Sequence, residues 1–223
     1  MASKTIARPS VLRSSIDAKA HWAKVYSTRD VTEVGWYEEN PQNCLELIRS
    51  CELSTDDPIV HVGVGASSVI DCLLEAGFSN LVGFDICSIA IDTIKERLGS
   101  ETASSVRWVT GDIAAPGCLD EIGEVALWHD RALFHFLDAE RDRVAYRDNL
   151  LRVVRPGGFA IIACFSLTGV AKCSGLDVRR YDEKMIAEFL GSEFRLEKSL
   201  DHTYVTPAGQ PRPYVYALLR RVG

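Results

Sequence analysis

A short apolar run, Ile59-Val60-His61-Val62, closes directly on Gly63-Val64-Gly65-Ala66-Ser67, and beyond it Val69, Ile70, Leu73 and Leu74 recur at helical spacing up to Gly77. That order of strand, glycine turn and helix specifies a βα unit. Glycines let the chain turn tightly and approach a ligand, and the helix start presents free N–H groups. The same rhythm repeats downstream. Leu81-Val82-Gly83-Phe84 reads as a second strand, with a helix from Ser88 to Gly99 after it. Val106 to Val109 and Val125 to Trp128 read as the third and fourth strands. Asp138 is expected to cap a helix that Pro156-Gly157-Gly158 stops, and Phe159 to Phe165 is a buried fifth strand. A short helix capped by Asp182 follows, then two strands near 195–202 and 214–219. Two helical pieces, 16–26 and 41–51, precede the whole series. Alternating strands and helices predict an α/β fold with a largely parallel sheet.

Composition narrows the function. Hydrophobic residues make up 47% and charged residues 25%, the balance of a chain with a substantial core. A net charge of −6 argues against a broad nucleic-acid or anionic-membrane surface. No apolar run reaches the roughly eighteen residues of a membrane span. The seven cysteines show no ligand spacing, so no metal is expected, and their odd number fits a reducing cytoplasm. Lys4, Arg8 and Arg13 precede the first acid, Asp17, a pattern that organellar targeting sequences share. The chain is expected to form one domain over 1–223: a helical cap (1–55), a cofactor-binding core (56–166) and a C-terminal helix and hairpin (167–223).

Asp85 stands twenty residues after Gly65 at the end of the second strand, where a carboxylate accepts hydrogen bonds from ribose hydroxyls. The plainer alternative is a tight turn beside a solvent-facing aspartate. Ser68 occupies the place of the third glycine that dinucleotide-binding turns use, which points from NAD toward another adenosine cofactor. Gly111-Asp112-Ile113 ends the third strand and offers a carboxylate for an adenine amine and an apolar side chain for its ring.

Gly63-Val64-Gly65, Asp85, Gly111-Asp112 and Arg155-Pro156-Gly157-Gly158, in that order, resemble class I S-adenosylmethionine-dependent methyltransferases over about residues 59–166. The resemblance implies a Rossmann-like α/β fold: a mostly parallel seven-stranded sheet, a terminal antiparallel hairpin and helices on both faces. It implies S-adenosylmethionine as cofactor, with Gly63 and Gly65 at its methionine end, Asp85 and Ile86 at the ribose, and Asp112 and Ile113 at the adenine. The chain departs from the family at His61 and at Ala126-Leu127, where acids are usual.

Two segments resemble narrower groups. His21-Trp22-Ala23-Lys24-Val25-Tyr26 with Gly35-Trp36-Tyr37 is similar to methyltransferase-like proteins that include protein-lysine methyltransferases. Trp128-His129-Asp130-Arg131-Ala132-Leu133, with Asp142-Arg143 and Tyr146, is similar to thiopurine and other thiol S-methyltransferases. These likenesses imply Trp36 as a lid over the cofactor, His129 and Asp130 as catalytic residues, and Tyr37 and Arg131 as acceptor-binding residues; Cys173, a thiol beside Lys172 on the loop after the fifth strand, is a further acceptor-binding candidate. Aromatic residues and histidines at such places also serve as core, which is the competing reading. The expected acceptor is a small thiol or sulfide. A protein lysine, a binder without catalysis and an NAD-dependent oxidoreductase are the alternatives.

Overall fold

A computed structural model describes residues 17–223. The basic stretch containing Lys4, Arg8 and Arg13, and the expected helix start at Ile16, lie outside the described residues. The first helix, α1, runs Ala18–Thr28 behind Asp17, whose carboxylate accepts from the Ala20 N–H at 3.2 Å. A strap with little regular structure leads to α2 (Gln42–Arg49).

The βα rhythm then appears as expected: β1 (Ile59–Val62), α3 (Val69–Glu75), β2 (Leu81–Asp85), α4 (Ser88–Leu98), β3 (Val106–Thr110) and β4 (Val125–Arg131). A small helix between α4 and β3, α5 (Ser100–Ser104), has no counterpart in the periodicity because its five residues are mostly polar. After α6 (Glu140–Val153) comes β5 (Val154–Phe165). Beyond β5 lie a two-stranded hairpin, β6 (Lys172–Cys173) and β7 (Leu176–Asp177), then α7 (Glu183–Leu190), β8 (Phe194–Val205) and β9 (Pro211–Arg221).

Seven strands form one sheet in the order β3-β2-β1-β4-β5-β9-β8. The first five are parallel, and β9 joins β5 antiparallel. β1 and β2 are buried throughout, as parallel strands covered on both faces must be. One face packs Trp128, Ile162 and Ala217 against Tyr146 and Leu150 of α6 and Ile186 and Leu190 of α7. The other packs Leu127, Ile161 and Tyr216 against Leu47 of α2 and Ile70 and Leu73 of α3. Each buried apolar side chain contributes about 1.5–3 kcal/mol.

Two local expectations change. Asp138 does not cap α6: the cap position is Ala139, with no side-chain hydrogen bond, because the helix begins later. β4 continues three residues past its apolar run, held on both sides by pairing of His129 and Asp130 with β1 and β5. From β1 the chain passes through α3 to β2 and on to β3 on one side, then crosses from β3 to β4 on the other side of β1. This switch point opens a crevice at the carboxyl ends of the strands.

Candidate active site

Gly63 and Gly65 follow β1 with φ of +67° and +47°, backbone that other residues adopt only with strain. Space is short as well. A Cβ on Gly63 would meet Leu133 Cδ1 at 2.6 Å, and one on Gly65 would meet the Tyr26 hydroxyl at 2.5 Å. At the end of β2, Asp85 accepts from the N–H groups of Gly65 (2.9 Å) and Cys87 (2.8 Å), so the strand end and glycine turn are fixed together. Burial pushes its pKa up to about 6, against those hydrogen bonds. Asp112, after β3, accepts from the Ala114 N–H at 2.9 Å.

These residues border a cavity of about 260 Å³ at the switch point. Gly63, Gly65, Asp85, Ile86, Asp112 and Ile113 all line it, and so does Trp36. Arg131, Tyr214, Cys173 and Leu176 line it as well. Its roof is aromatic. Trp22 of α1 meets Trp36 of the strap at 5.5 Å between ring centroids and Phe136, from the turn after β4, at 5.0 Å. The Trp36 indole N–H donates to the Tyr26 hydroxyl at 3.0 Å, tying strap to helix.

The strap is clamped from below. Arg131 is 8% exposed in its side chain. Its Nε lies 2.9 Å from Glu38 Oε2, its Nη1 donates to the Trp36 carbonyl at 2.8 Å, and its guanidinium carbon lies 5.2 and 5.0 Å from the ring centres of Tyr204 and Tyr214. Nη2 is buried without a protein partner. Burial opposes the charge of Arg131, but the carboxylate of Glu38 favours it and the guanidinium stays protonated. The Ser68 hydroxyl donates to the Glu38 carbonyl at 2.7 Å, and the Tyr204 hydroxyl donates to the Tyr37 carbonyl.

Three expected site residues lie elsewhere. His129 is wholly buried in β4 and does not line the cavity; its Nδ1 faces His61 Nδ1 on β1 at 2.5 Å. Extension of β4 is the reason, since paired strands on both sides take up the residues that a loop would have turned toward the ligand. Burial, then neighbouring charge, pulls the pKa of both below the histidine range, that of His61 to about 3. Both stay neutral, one donating to the other.

Asp130 points to the opposite face. It accepts from the Tyr146 hydroxyl at 2.7 Å and from the N–H groups of Leu133 (3.0 Å) and Phe134 (3.2 Å), a structural brace for the turn after β4. Tyr37 lies outside the cavity lining, since only its neighbour Trp36 turns inward there.

His135 lines the cavity, but its Nδ1 is in hydrogen-bond reach of the Phe165 N–H (3.3 Å), leaving its ring proton on Nε2. Burial holds its pKa at about 3, so it is not a ready proton acceptor. Sequence reasoning missed Glu38, Tyr26, Phe136 and Tyr214. The strap has no periodicity that would mark Glu38, Tyr26 and Tyr214 lie in an expected helix and strand with no sign of facing a cavity, and nothing in the turn after β4 marks Phe136.

A family described as "Methyltransferase domain" matches residues 60–162. EEF1A lysine methyltransferase 2 of Danio rerio is 25% identical over 168 residues, covering 70% of this chain and 71% of the relative. The Homo sapiens protein of that name is 21% identical over 168 residues, with 70% of each chain covered. Among solved structures, Burkholderia thailandensis 1,6-didemethyltoxoflavin-N1-methyltransferase, with 1,6-didemethyltoxoflavin and S-adenosylhomocysteine bound, superposes with a TM-score of 0.72. It is 18% identical, with 98% of this chain and 94% of that one covered. With its matched domain, its sheet order and the glycine turn at its switch point, the chain is similar to the class I methyltransferases, which use S-adenosylmethionine as methyl donor.

Proposed function

We propose that this enzyme methylates the side-chain amine of a protein lysine. The observation that carries the reading is the lining of the cavity, in which Trp22, Trp36, Phe136 and Tyr214 stand with the carboxylates of Asp138 and Asp177. Aromatic faces and carboxylates suit an alkylamine and its charged product. The lysine methyltransferases at 21–25% identity support the same acceptor.

S-adenosylmethionine fits the residues present: a carboxylate, Asp85, suits a ribose diol, a second, Asp112, suits an adenine amine, and Ile86 and Ile113 suit the ring. The backbone at Gly63 and Gly65 suits the methionine end, and Trp36 covers it. When bound, the cofactor supplies an electrophilic methyl group on a sulfonium, so the protein's part is to orient the acceptor and exclude water. The aromatic roof excludes water, and Arg131 and Cys173 bound the acceptor.

A small thiol is the second reading, favoured by Arg131, because a fixed cation stabilises a thiolate. Methyl-labelled cofactor incubated with the enzyme and either cell protein or 2-mercaptoethanol decides between them. Label in protein lysines is the expected result. Label only in a soluble thioether would overturn the lysine reading and support the thiol.

A further inference from the structure

The cavity lacks a histidine able to take a proton, yet either acceptor must lose one before it can attack. We propose that the Arg131–Glu38 pair does the work of a base: the fixed cation of Arg131 holds the acceptor in its unprotonated form, and Glu38 on the strap sets how much of that charge the acceptor meets. The proposal rests on the reading of the cavity as a methyl-transfer site. It does not depend on which acceptor is used.

Arg131 lines the cavity from the end of β4, is buried, and is held by the Trp36 carbonyl and Glu38. The groups that face it from each packed element differ sharply from Glu38. His61 of β1, His129 of β4 and His135 of the following turn are kept neutral, by burial first and by Arg131 itself among the remaining causes. Burial also keeps the Cys44 thiol of α2 and the hydroxyls of Tyr204, Tyr214 and Tyr216 protonated. Glu38 is the carboxylate paired with Arg131; Asp138 and Asp177 line the same cavity and favour a charged acceptor, Asp177 being paired with Lys172 at 2.9 Å, so Arg131 acts against them. The Glu38 side chain is 13% exposed, and burial raises its own pKa despite Arg131. The acceptor's proton leaves to bulk water as the acceptor enters, because an ammonium or a neutral thiol is the less favoured form beside the guanidinium.

A cation that disfavours a protonated acceptor also disfavours a sulfonium beside it. This gives a readout that needs no acceptor: the ratio of affinities for S-adenosylmethionine and S-adenosylhomocysteine, which differ by one positive charge. Calorimetry on the full chain is expected to show Arg131→Met shifting that ratio toward S-adenosylmethionine by about five- to tenfold. Glu38→Gln should shift it the opposite way, and Arg131→Lys should stay near the parent.

The pH profile of kcat, with whichever acceptor turns over, should move in the same pattern. Its acid limb is expected about one unit higher in Arg131→Met and lower in Glu38→Gln. Equal changes in both affinities with an unmoved limb would overturn the proposal and leave the pair as a clamp on the strap. If Arg131→Met does not fold, as shown by circular dichroism, the opposed behaviour of Glu38→Gln and Arg131→Lys carries the same decision. Failure of the lysine reading alone would change the acceptor and leave the affinity ratios as predicted.

Discussion

Asp85 has two tasks for one carboxylate: it fastens the glycine turn through the N–H groups of Gly65 and Cys87, and it borders the cavity. Hydroxyl donors from a ribose favour its ionised form, whereas burial has raised its pKa to about 6. Cofactor affinity is therefore expected to fall as the pH drops through about 6. Asp85→Asn should weaken binding by about 1–3 kcal/mol and flatten that dependence. Calorimetry on both sides of that pH tests it. His61→Asn should leave the profile in place, because His61 faces His129 rather than the cavity; the reverse result would move the titration from Asp85 to His61. Asp85 was legible from sequence because its position follows from the spacing of two strands. The roles of His129 and Asp130 were not, since neighbouring residues of one strand point to opposite faces and the apolar run gave no sign that the strand continued.

At the scale of elements, the exit of β4 decides what the site contains. The Trp128 indole N–H donates to the Tyr146 hydroxyl (3.0 Å), which donates to Asp130, which receives the turn's own N–H groups. Tyr146→Phe removes the middle of this chain and is expected to cost about 1–3 kcal/mol for each buried group left unpaired, measured by denaturant unfolding. A loss below that range would mean that water takes over the vacated positions. Ala132, the first residue of the turn, has φ of +68°, a left-handed conformation that costs a side-chain-bearing residue about 1–2 kcal/mol. Ala132→Gly should accordingly keep or raise stability by up to about 1 kcal/mol, and Ala132→Val should lower it; the same unfolding curves distinguish the two. The strands and long helices were readable from periodicity. The β6–β7 hairpin was not, because two-residue strands carry no period, and only the chemistry of Cys173 marks the segment in the sequence.

For the molecule as a whole, acid stability is a contest between buried groups of opposite kind. His61, His129 and His135 are held neutral in the fold, with values depressed below 6.5. The unfolded chain binds protons there as pH falls below about 6.5, and stability drops at about 1.4 kcal/mol per unit for each such proton. Asp130, raised to about 7 by burial, Asp85, raised to about 6, and Glu38, also raised by burial, act the other way. The fold keeps their protons where the unfolded carboxylates, near 3.8 for Asp and 4.5 for Glu, have released theirs, so lowering the pH toward those values favours it. The expected profile is shallow from about 6.5 down to about 4 and steep below, where the histidines act unopposed. Urea midpoints across that range check this, and Asp130→Asn should steepen the upper limb; a steep loss beginning at about 6.5 in the parent would show that the carboxyls stay ionised. The largely parallel sheet and the cofactor crevice were readable because they repeat a local unit. Trp36 was readable as a lid, but the clasp that holds the roof was not, because it joins segments far apart in sequence: Trp36 and Glu38 are held by Arg131, and Tyr37 by Tyr204. That clasp has a consequence for biosynthesis. Tyr204, Tyr214 and Tyr216 emerge from the ribosome after the glycine turn, Asp85 and Asp112, so a nascent chain carries its cofactor-binding motif before the strap can be fastened over it. Premature termination before β8 would therefore yield a molecule with the whole cofactor-binding motif and a roof lacking its clasp on Tyr37 and the tyrosine bed beneath Arg131.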